Sequence, residues 1–356
     1  LPSMNVKKIL LLAASTIKLF IIVILFTANS KAEENNIKYY SDDMGILSLM
    51  YHRFDENKYP STNIRMDIFK EQIKIIRDLE YKFYDPKDLK ENFNTNKTEK
   101  RILITIDDAF SSFYKKAWPY LKKENIPFIL FVSTKTVGKN GYMTWDQINE
   151  LEKETNAYIG NHSHSHDYLV NLKNEDFIKD IKTANKIFKE KLGYNPIFFS
   201  YPFGEYSNFI KKYISKYFRF SFGQHSGVID INKNPHELPR FPINEKYGDL
   251  ERFKFLINLQ PLQFKNLFPT EKYITTNNNP PEFYVEFFKE QKNVSKINCF
   301  SDEGDEWEKS NTYFSDNKLS IKFRDKFYFR RGRINCSLND NGIWRWFGIQ
   351  LSIEQD

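Results

Sequence analysis

Two adjacent aspartates and a short run of histidines are the residues of this chain best suited to catalysis. Asp107 and Asp108 directly follow the apolar stretch 101–106, and three of the chain's six histidines fall within 162–166. Catalytic zinc sites combine imidazole nitrogens with a carboxylate oxygen and keep one coordination position open. Because a second carboxylate beside such a site can handle protons, the pattern predicts a metal-dependent hydrolytic centre.

The elements that must position these residues alternate between strand-like and helix-like patterns. Apolar runs typical of buried strands lie at 46–51, 101–106, 128–132, 158–160, 197–200, 218–222 and 238–243. Between them, apolar residues recur at helical spacing, as in 65–80, 145–153 and 207–216. Repeated βα units predict an α/β fold built on a parallel sheet or barrel. The candidate residues directly follow strands, and α/β barrels have their active sites at that end.

Four short motifs, in order, resemble those of the polysaccharide deacetylase family, the carbohydrate esterases with a NodB-like domain. Thr105–Asp108 is similar to T-F-D-D, His162–His166 fits H-S-x-S-H, and Tyr201–Gly204 is similar to the Y-P-Y-G version of the third motif. Leu49–His52 resembles the L-M-Y-H of the poly-N-acetylglucosamine deacetylase branch, in which the catalytic histidine lies near the start of the domain. The resemblance covers roughly residues 45–245 and implies a distorted (β/α)-barrel.

The resemblance also implies a role for each of the strongest candidates. Asp108, His162 and His166 would be the metal ligands, most simply for Zn²⁺, although cobalt, nickel or manganese suits the same ligand set. Asp107 would be the general base, and His52 would protonate the leaving amine.

The third motif departs from the family pattern at one important position. The family arginine that orients the base is Ser200 here, so we expect Arg240, within a Leu-Pro-Arg segment, to reach the base instead. The backbone N–H of Phe203 would help to hold the oxyanion, with Tyr201 and Pro202 beside the substrate.

Several alternatives are open at this level. His164 can replace a neighbouring histidine as ligand, His225 competes with His52 for the acid role, and Trp145 is a further candidate for the sugar groove. The predicted activity is removal of N-acetyl groups from an N-acetylhexosamine-containing polysaccharide or glycoconjugate. An O-acetyl carbohydrate esterase, or an inactive glycan-binding barrel, is the alternative.

The N-terminal segment 1–32 has the pattern of a secretion signal. Lys7 and Lys8 precede an apolar stretch that Lys18 interrupts, and small residues at 30–32 suit signal peptidase. We therefore predict a secreted, periplasmic or cell-envelope protein; an uncleaved anchor that associates with the membrane is the alternative. Removing the segment with its four lysines lowers the net charge from +7 to +3, and so mild a charge argues against a nucleic-acid partner.

The sequence pattern of the chain changes after about residue 260. Short aromatic-rich runs separated by Gly, Asn and Asp lie at 283–288, 297–300, 319–323, 327–329 and 344–349. They predict a small antiparallel β domain over 261–356, after a barrel over 33–260. With an export signal, Cys299 and Cys336 are expected to form a disulfide, and two buried thiols are the alternative.

Overall fold

The computed structural model describes residues 44–92 and 98–355. The predicted secretion signal lies outside these residues. All the described residues belong to a single compact unit. Within it, every helix is too short or too polar to cross a lipid bilayer.

A parallel sheet forms the centre of the N-terminal half. Its main strands are β1 Ile46–Tyr51, β2 Arg101–Asp107, β3 Phe128–Val132, β4 Ala157–Asn161, β5 Phe198–Ser200, β6 Phe220–Phe222 and β7 Phe241–Pro242. They lie in the order β7-β1-β2-β3-β4-β5-β6, and Lys82–Phe83 pairs with β2 as an eighth strand. A parallel bridge between Phe222 and Leu238 joins β6 to the segment that leads into β7. The predicted distorted (β/α)-barrel is confirmed.

Helices cover the outside of this sheet. They are α1 Met66–Asp78, α2 Pro86–Asn92, α3 Trp118–Lys123, α4 Trp145–Glu154, α5 Asn174–Leu192, α6 Asn208–Ile214 and α7 Leu250–Leu256. A π-helical turn, Phe113–Ala117, precedes α3, and 3₁₀ turns lie at Leu169–Asn171, Pro202–Gly204, Thr276–Asn278, Val294–Lys296 and Glu303–Asp305.

The apolar pattern of the sequence explains these elements. Every residue of β1, β2 and β3 is buried, as expected for parallel strands covered on both faces. In α1 the buried residues include Phe69, Ile73 and Ile76, which form one helical face. A capping box between Thr144 and Gln147 fixes the start of α4.

Two further sheets form the C-terminal part, and antiparallel strands were predicted there; two short strands of the larger sheet pair in parallel. The six-stranded sheet contains Gln260–Pro261, Tyr273–Ile274, Asn298–Ser301, Glu308–Lys309, β8 Arg331–Asp340 and β9 Ile343–Ile353. The four-stranded antiparallel sheet contains Asn266–Phe268, Phe283–Glu286, Asn311–Ser315 and Lys318–Lys322. A separate two-stranded pair joins Arg53–Phe54 to Asn63–Ile64.

The predicted disulfide is confirmed, and one predicted strand is wrong. Cys299 and Cys336 are bonded to each other on neighbouring antiparallel strands, at directly opposed positions. Residues 327–329 form a loop instead of a strand, in which Phe327 is buried but Tyr328 and Phe329 are exposed. The longer strand β8, which follows this loop, was not predicted.

Candidate active site

The acidic pair lies at the C-terminal end of β2. Asp107 is the last residue of the strand and is fully buried. Asp108 and Ala109 then adopt positive φ values of 74° and 54°, which non-glycine residues seldom do. This turn interrupts the alternation of side-chain directions along the strand. Both carboxylates therefore come within 4 Å of His162, whose Nε2 lies 3.9 Å from Asp107 Oδ2 and 3.6 Å from Asp108 Oδ1.

Asp108, His162 and His166 form the one candidate metal cluster among the described residues. One potential ligand atom from each lies within 4.8 Å of the others. The Nε2 atom of His166 is 3.1 Å from Asp108 Oδ1. A carboxylate and two imidazoles suit zinc and neighbouring divalent ions, so the donor set fits the predicted metal.

The environment of His162 prepares its Nε2 atom to act as a ligand. Its Nδ1 lies 2.7 Å from the carbonyl oxygen of Ser200, which can only accept a hydrogen bond, so Nδ1 carries the proton. Burial lowers the pKa of His162 to about 4, despite the opposing effect of Asp107. The neutral ring therefore presents an unprotonated Nε2 toward Asp108, as in many histidine metal ligands.

Buried polar groups hold the histidine loop in shape. The Asp180 carboxylate on α5 accepts the backbone N–H groups of His164 and Ser165, both at 2.8 Å. Ser163 Oγ accepts the N–H of His166 at 3.0 Å. Sequence reasoning missed Asp180, although an acidic residue on the same helical face as Phe177 and Ala184 was a visible signal.

His164 faces away from the cluster. Its Nδ1 lies 2.8 Å from Thr134 Oγ1, in a part-buried hydrogen bond. The described geometry therefore brings together the first and last histidines of the motif with Asp108.

Arg240 makes a two-point contact with Asp107. Its Nη1 donates to Asp107 Oδ1 at 2.7 Å and its Nη2 to Oδ2 at 2.9 Å. Nη2 also donates to Ser200 Oγ at 2.7 Å, so the serine at the family arginine position contacts the guanidinium. Burial alone would raise the pKa of Asp107, but the Arg240 guanidinium outweighs burial and lowers it. Asp107 is therefore ionised.

His52 and His225 differ in their relation to the acidic pair. His52 follows β1, is partly exposed, and its Nε2 lies 4.0 Å from Asp107 Oδ2. His225 lines the same cavity as His52, but the charged groups that act on it include Glu237 and Lys272. Burial lowers the pKa of His225 to about 4. His52 is thus the histidine that the structure brings to the predicted base.

The third motif, Tyr201–Gly204, contributes one partly exposed residue, Phe203, and its other three residues are buried. Phe203 has a φ of 59°, and its ring centroid lies 4.8 Å from that of His166. Tyr201 and Pro202, predicted to lie beside the substrate, are buried; Tyr201 packs in an aromatic cluster with Phe199 and Tyr206. Neither side chain is among those that line the cavity over the site.

A cavity of about 960 Å³ opens over the site. It reaches His52, Asp108, His166 and Phe203 and is also lined by residues of the C-terminal sheets. Trp145, the other aromatic candidate, packs edge-on against Phe188 and is not among the lining residues.

Comparison with known proteins finds matches to one family. Residues 94–218 match the polysaccharide deacetylase family. The chain is 27% identical over 161 residues to YxkH of Bacillus subtilis, covering 45% of this chain and 57% of YxkH, little more than half of that relative. It is 24% identical over 228 residues to poly-β-1,6-N-acetyl-D-glucosamine N-deacetylase of Staphylococcus aureus, covering 56% of this chain and 79% of the relative.

Solved structures share the fold of the N-terminal half. Streptococcus pyogenes deacetylase PplD, in complex with acetate, superposes with a TM-score of 0.55 at 21% identity, over 60% of this chain and 99% of PplD. IcaB from Ammonifex degensii superposes with a TM-score of 0.53 at 24% identity, over 60% of this chain and 97% of IcaB.

Proposed function

Since this chain contains a polysaccharide deacetylase domain, we propose that it removes N-acetyl groups from an N-acetylhexosamine-containing polysaccharide or glycoconjugate. The proposal extends to metal dependence, with zinc as the first choice, and to action outside the cytoplasm. The similarity to a poly-N-acetylglucosamine N-deacetylase supports the substrate class.

One observation carries the proposal: a buried, ionised aspartate lies beside a ready-made ligand cluster. Asp107 is held by Arg240 and lies 3.9 Å from the ligand candidate His162. A divalent ion held by Asp108, His162 and His166 would polarise an acetamido carbonyl and acidify the attacking water.

The protein's own groups then have separate tasks. Asp107, kept ionised by Arg240, accepts the proton of the attacking water. His52, partly exposed and 4.0 Å from Asp107 Oδ2, donates a proton to the amine nitrogen as the C–N bond breaks. Because an amine leaves poorly without that proton, the pair suits amide hydrolysis.

The backbone around Phe203 would stabilise charge on the acetyl oxygen. The Phe203 N–H is the proposed oxyanion donor. A hydrogen bond from Gln350 Nε2 to the Phe203 carbonyl oxygen, at 2.9 Å, holds this turn in place. Fixed donors of this kind need no reorganisation when charge develops.

Acetate release from N-acetylglucosamine oligomers, measured with and without chelator and added zinc, tests the proposal. We expect about one tightly bound divalent ion per chain, and Asp107→Asn should lower kcat by about 10²- to 10⁴-fold because the base is lost. His166→Ala should lose the metal. The matched control is Asp67→Asn at an exposed carboxylate of α1.

Full activity of Asp107→Asn would contradict the role of the base. Hydrolysis of acetylated xylan, with none of the N-acetylated oligomers, would show that the enzyme is an O-acetyl esterase. Glycan binding without any turnover in the metal-loaded protein would indicate an inactive barrel.

A further inference from the structure

Arginine and aromatic residues of the C-terminal part form one wall of the active-site groove. We call Arg330, Arg331 and Arg333, with Trp307 and Phe329, the arginine wall. All five line the cavity that reaches Asp108 and His166. Side chains of Arg331 and Arg333 are 42% and 46% exposed, so both can meet a ligand.

The arginine wall is joined to the metal cluster by stacked rings. Arg330 lies over the ring of Tyr168, 4.0 Å from its centroid. Tyr168 stacks on Phe203 with centroids 4.1 Å apart, and Phe203 contacts His166 edge-on. The arginine wall is therefore adjacent to the candidate metal cluster, and a polymer that fills this cavity contacts both.

The positive charge of this wall is only partly balanced. Asp108 is the sole acid among the described residues that line the cavity, whereas Arg252 joins the three arginines of the wall there. Glu205 lies 3.7 Å from Arg330 and 3.9 Å from Arg331, but it is fully buried behind them. Burial raises the pKa of Glu205 to about 7, although both arginines oppose this shift, so the carboxyl carries only part of a charge near neutral pH.

Asp302 balances Arg333 in a different way. It accepts from Arg333 Nε at 2.7 Å and from its backbone N–H at 2.6 Å. These contacts fix the stem of the arginine, and the guanidinium also lies 5.2 Å from the Trp307 ring centroid. An arginine held on one edge beside an aromatic ring still has donors for a second anion.

On the basis of the function proposed above, we propose that the substrate is an acidic glycan, whose carboxylate or phosphate groups bind Arg331 and Arg333 while a neighbouring acetamido sugar reaches the metal cluster. Guanidinium groups recognise carboxylate and phosphate oxygens through paired hydrogen bonds. Exposed Trp307 and Phe329 would pack against sugar rings between the charges. A neutral N-acetylglucosamine polymer would offer these two arginines no further anion.

The test compares acidic and neutral forms of one substrate. Oligosaccharides that alternate N-acetylglucosamine with glucuronic acid are assayed beside the same oligosaccharides with their carboxylates converted to primary amides. N-acetylglucosamine oligomers carrying glycerol phosphate form a third arm, which separates phosphate from carboxylate recognition. Acetate release is measured at low and high salt with the full, metal-loaded chain.

Arg331→Gln is the main variant, and Arg65→Gln, at an exposed arginine before α1, is its matched control. We expect Arg331→Gln to raise KM for the acidic substrate by about fivefold, with kcat and the amidated substrate unaffected. The preference for the acidic form should weaken at high salt, since screening reduces the attraction of exposed charges. Equal kcat/KM for the acidic and amidated forms would overturn the inference.

A binding measurement separates this inference from the proposed activity. In affinity electrophoresis through gels that contain the acidic glycan, the parent chain and Arg65→Gln should be retarded, and Arg331→Gln should be retarded less. If no substrate releases acetate, the proposed function fails, yet this retardation would still support acidic-glycan binding. Equal migration of all three proteins in acidic and neutral gels would overturn it.

Discussion

Arg240 is fully buried and has an acceptor for each part of its guanidinium. Nε donates to the Gly223 carbonyl at 2.9 Å, Nη1 approaches Thr105 Oγ1 at 3.2 Å, and both Nη atoms reach Asp107. A buried charge is tolerated only when paired and hydrogen-bonded in this way. The same contacts that keep Asp107 ionised therefore also stabilise the fold around it.

Substitutions of Arg240 should distinguish the effect of its positive charge from the effect of its two-point contact with Asp107. Arg240→Met leaves the Asp107 carboxylate buried without its partner, and we expect the free energy of unfolding to fall by about 3–5 kcal/mol. Arg240→Lys keeps the charge but not the two-point contact, so its loss should be smaller, while kcat still falls. Urea unfolding and acetate release measure both; equal stability of Arg240→Met and the parent chain would refute the account.

At the scale of elements, the apolar runs predicted the barrel strands well. The runs at 46–51 and 128–132 coincide with β1 and β3, because parallel strands buried on both faces read as continuous apolar segments. β8 escaped prediction because its buried residues alternate with exposed polar ones, a period-2 pattern that a search for aromatic runs overlooks.

Long-range contacts in the site were harder to predict than its motifs. Asp107 and Arg240 are 133 residues apart, so spacing carries no information about their contact, and only the family resemblance suggested it. Burial of Tyr201 was equally hidden, because an aromatic residue in a catalytic motif can face either the core or the groove.

The disulfide cross-links two neighbouring strands of the six-stranded C-terminal sheet. It joins Cys299 to Cys336 across 37 positions of the chain. On the chain-entropy model, replacing both cysteines by serine should lower the free energy of unfolding by about 3–4 kcal/mol. Thermal unfolding of that variant and of the parent chain with and without reductant measures the effect; a melting temperature insensitive to both changes would contradict it.

At the scale of the whole molecule, the barrel and the C-terminal sheets share one interface at the active site. β9 supplies Gln350 to the Phe203 carbonyl, and Trp346 of the same strand packs against the barrel core. Gly348 allows the close approach: a Cβ there would lie 2.2 Å from the carbonyl oxygen of Ser226. The groove is therefore built jointly by both halves.

His225 at this interface should make stability depend on pH. Burial, with the nearby charges of Lys272 and Arg240, lowers its pKa to about 4, although Glu237 acts in the opposite direction. Because the ordinary value is about 6.5, the unfolded chain binds the extra proton first as the pH falls. His225 therefore contributes stability that is complete above pH 6.5 and is lost progressively toward pH 4.

Urea unfolding of the parent chain and of His225→Gln, at several pH values between 4 and 7, measures this contribution. The variant should lose less stability on acidification, since its amide does not titrate. Parallel pH dependence in the two proteins would show that His225 does not contribute.

The placement of β1 and Arg240 has a practical consequence for anyone who wishes to excise the catalytic part. The family match, 94–218, omits β1, which ends beside His52 and lies between β7 and β2, and it omits Arg240 beside the proposed base. A fragment cut at those limits would lack an interior strand, the proposed proton donor and the counterion of Asp107 at once. The folded unit that holds the proposed site is thus considerably longer than the stretch of sequence that matches the family.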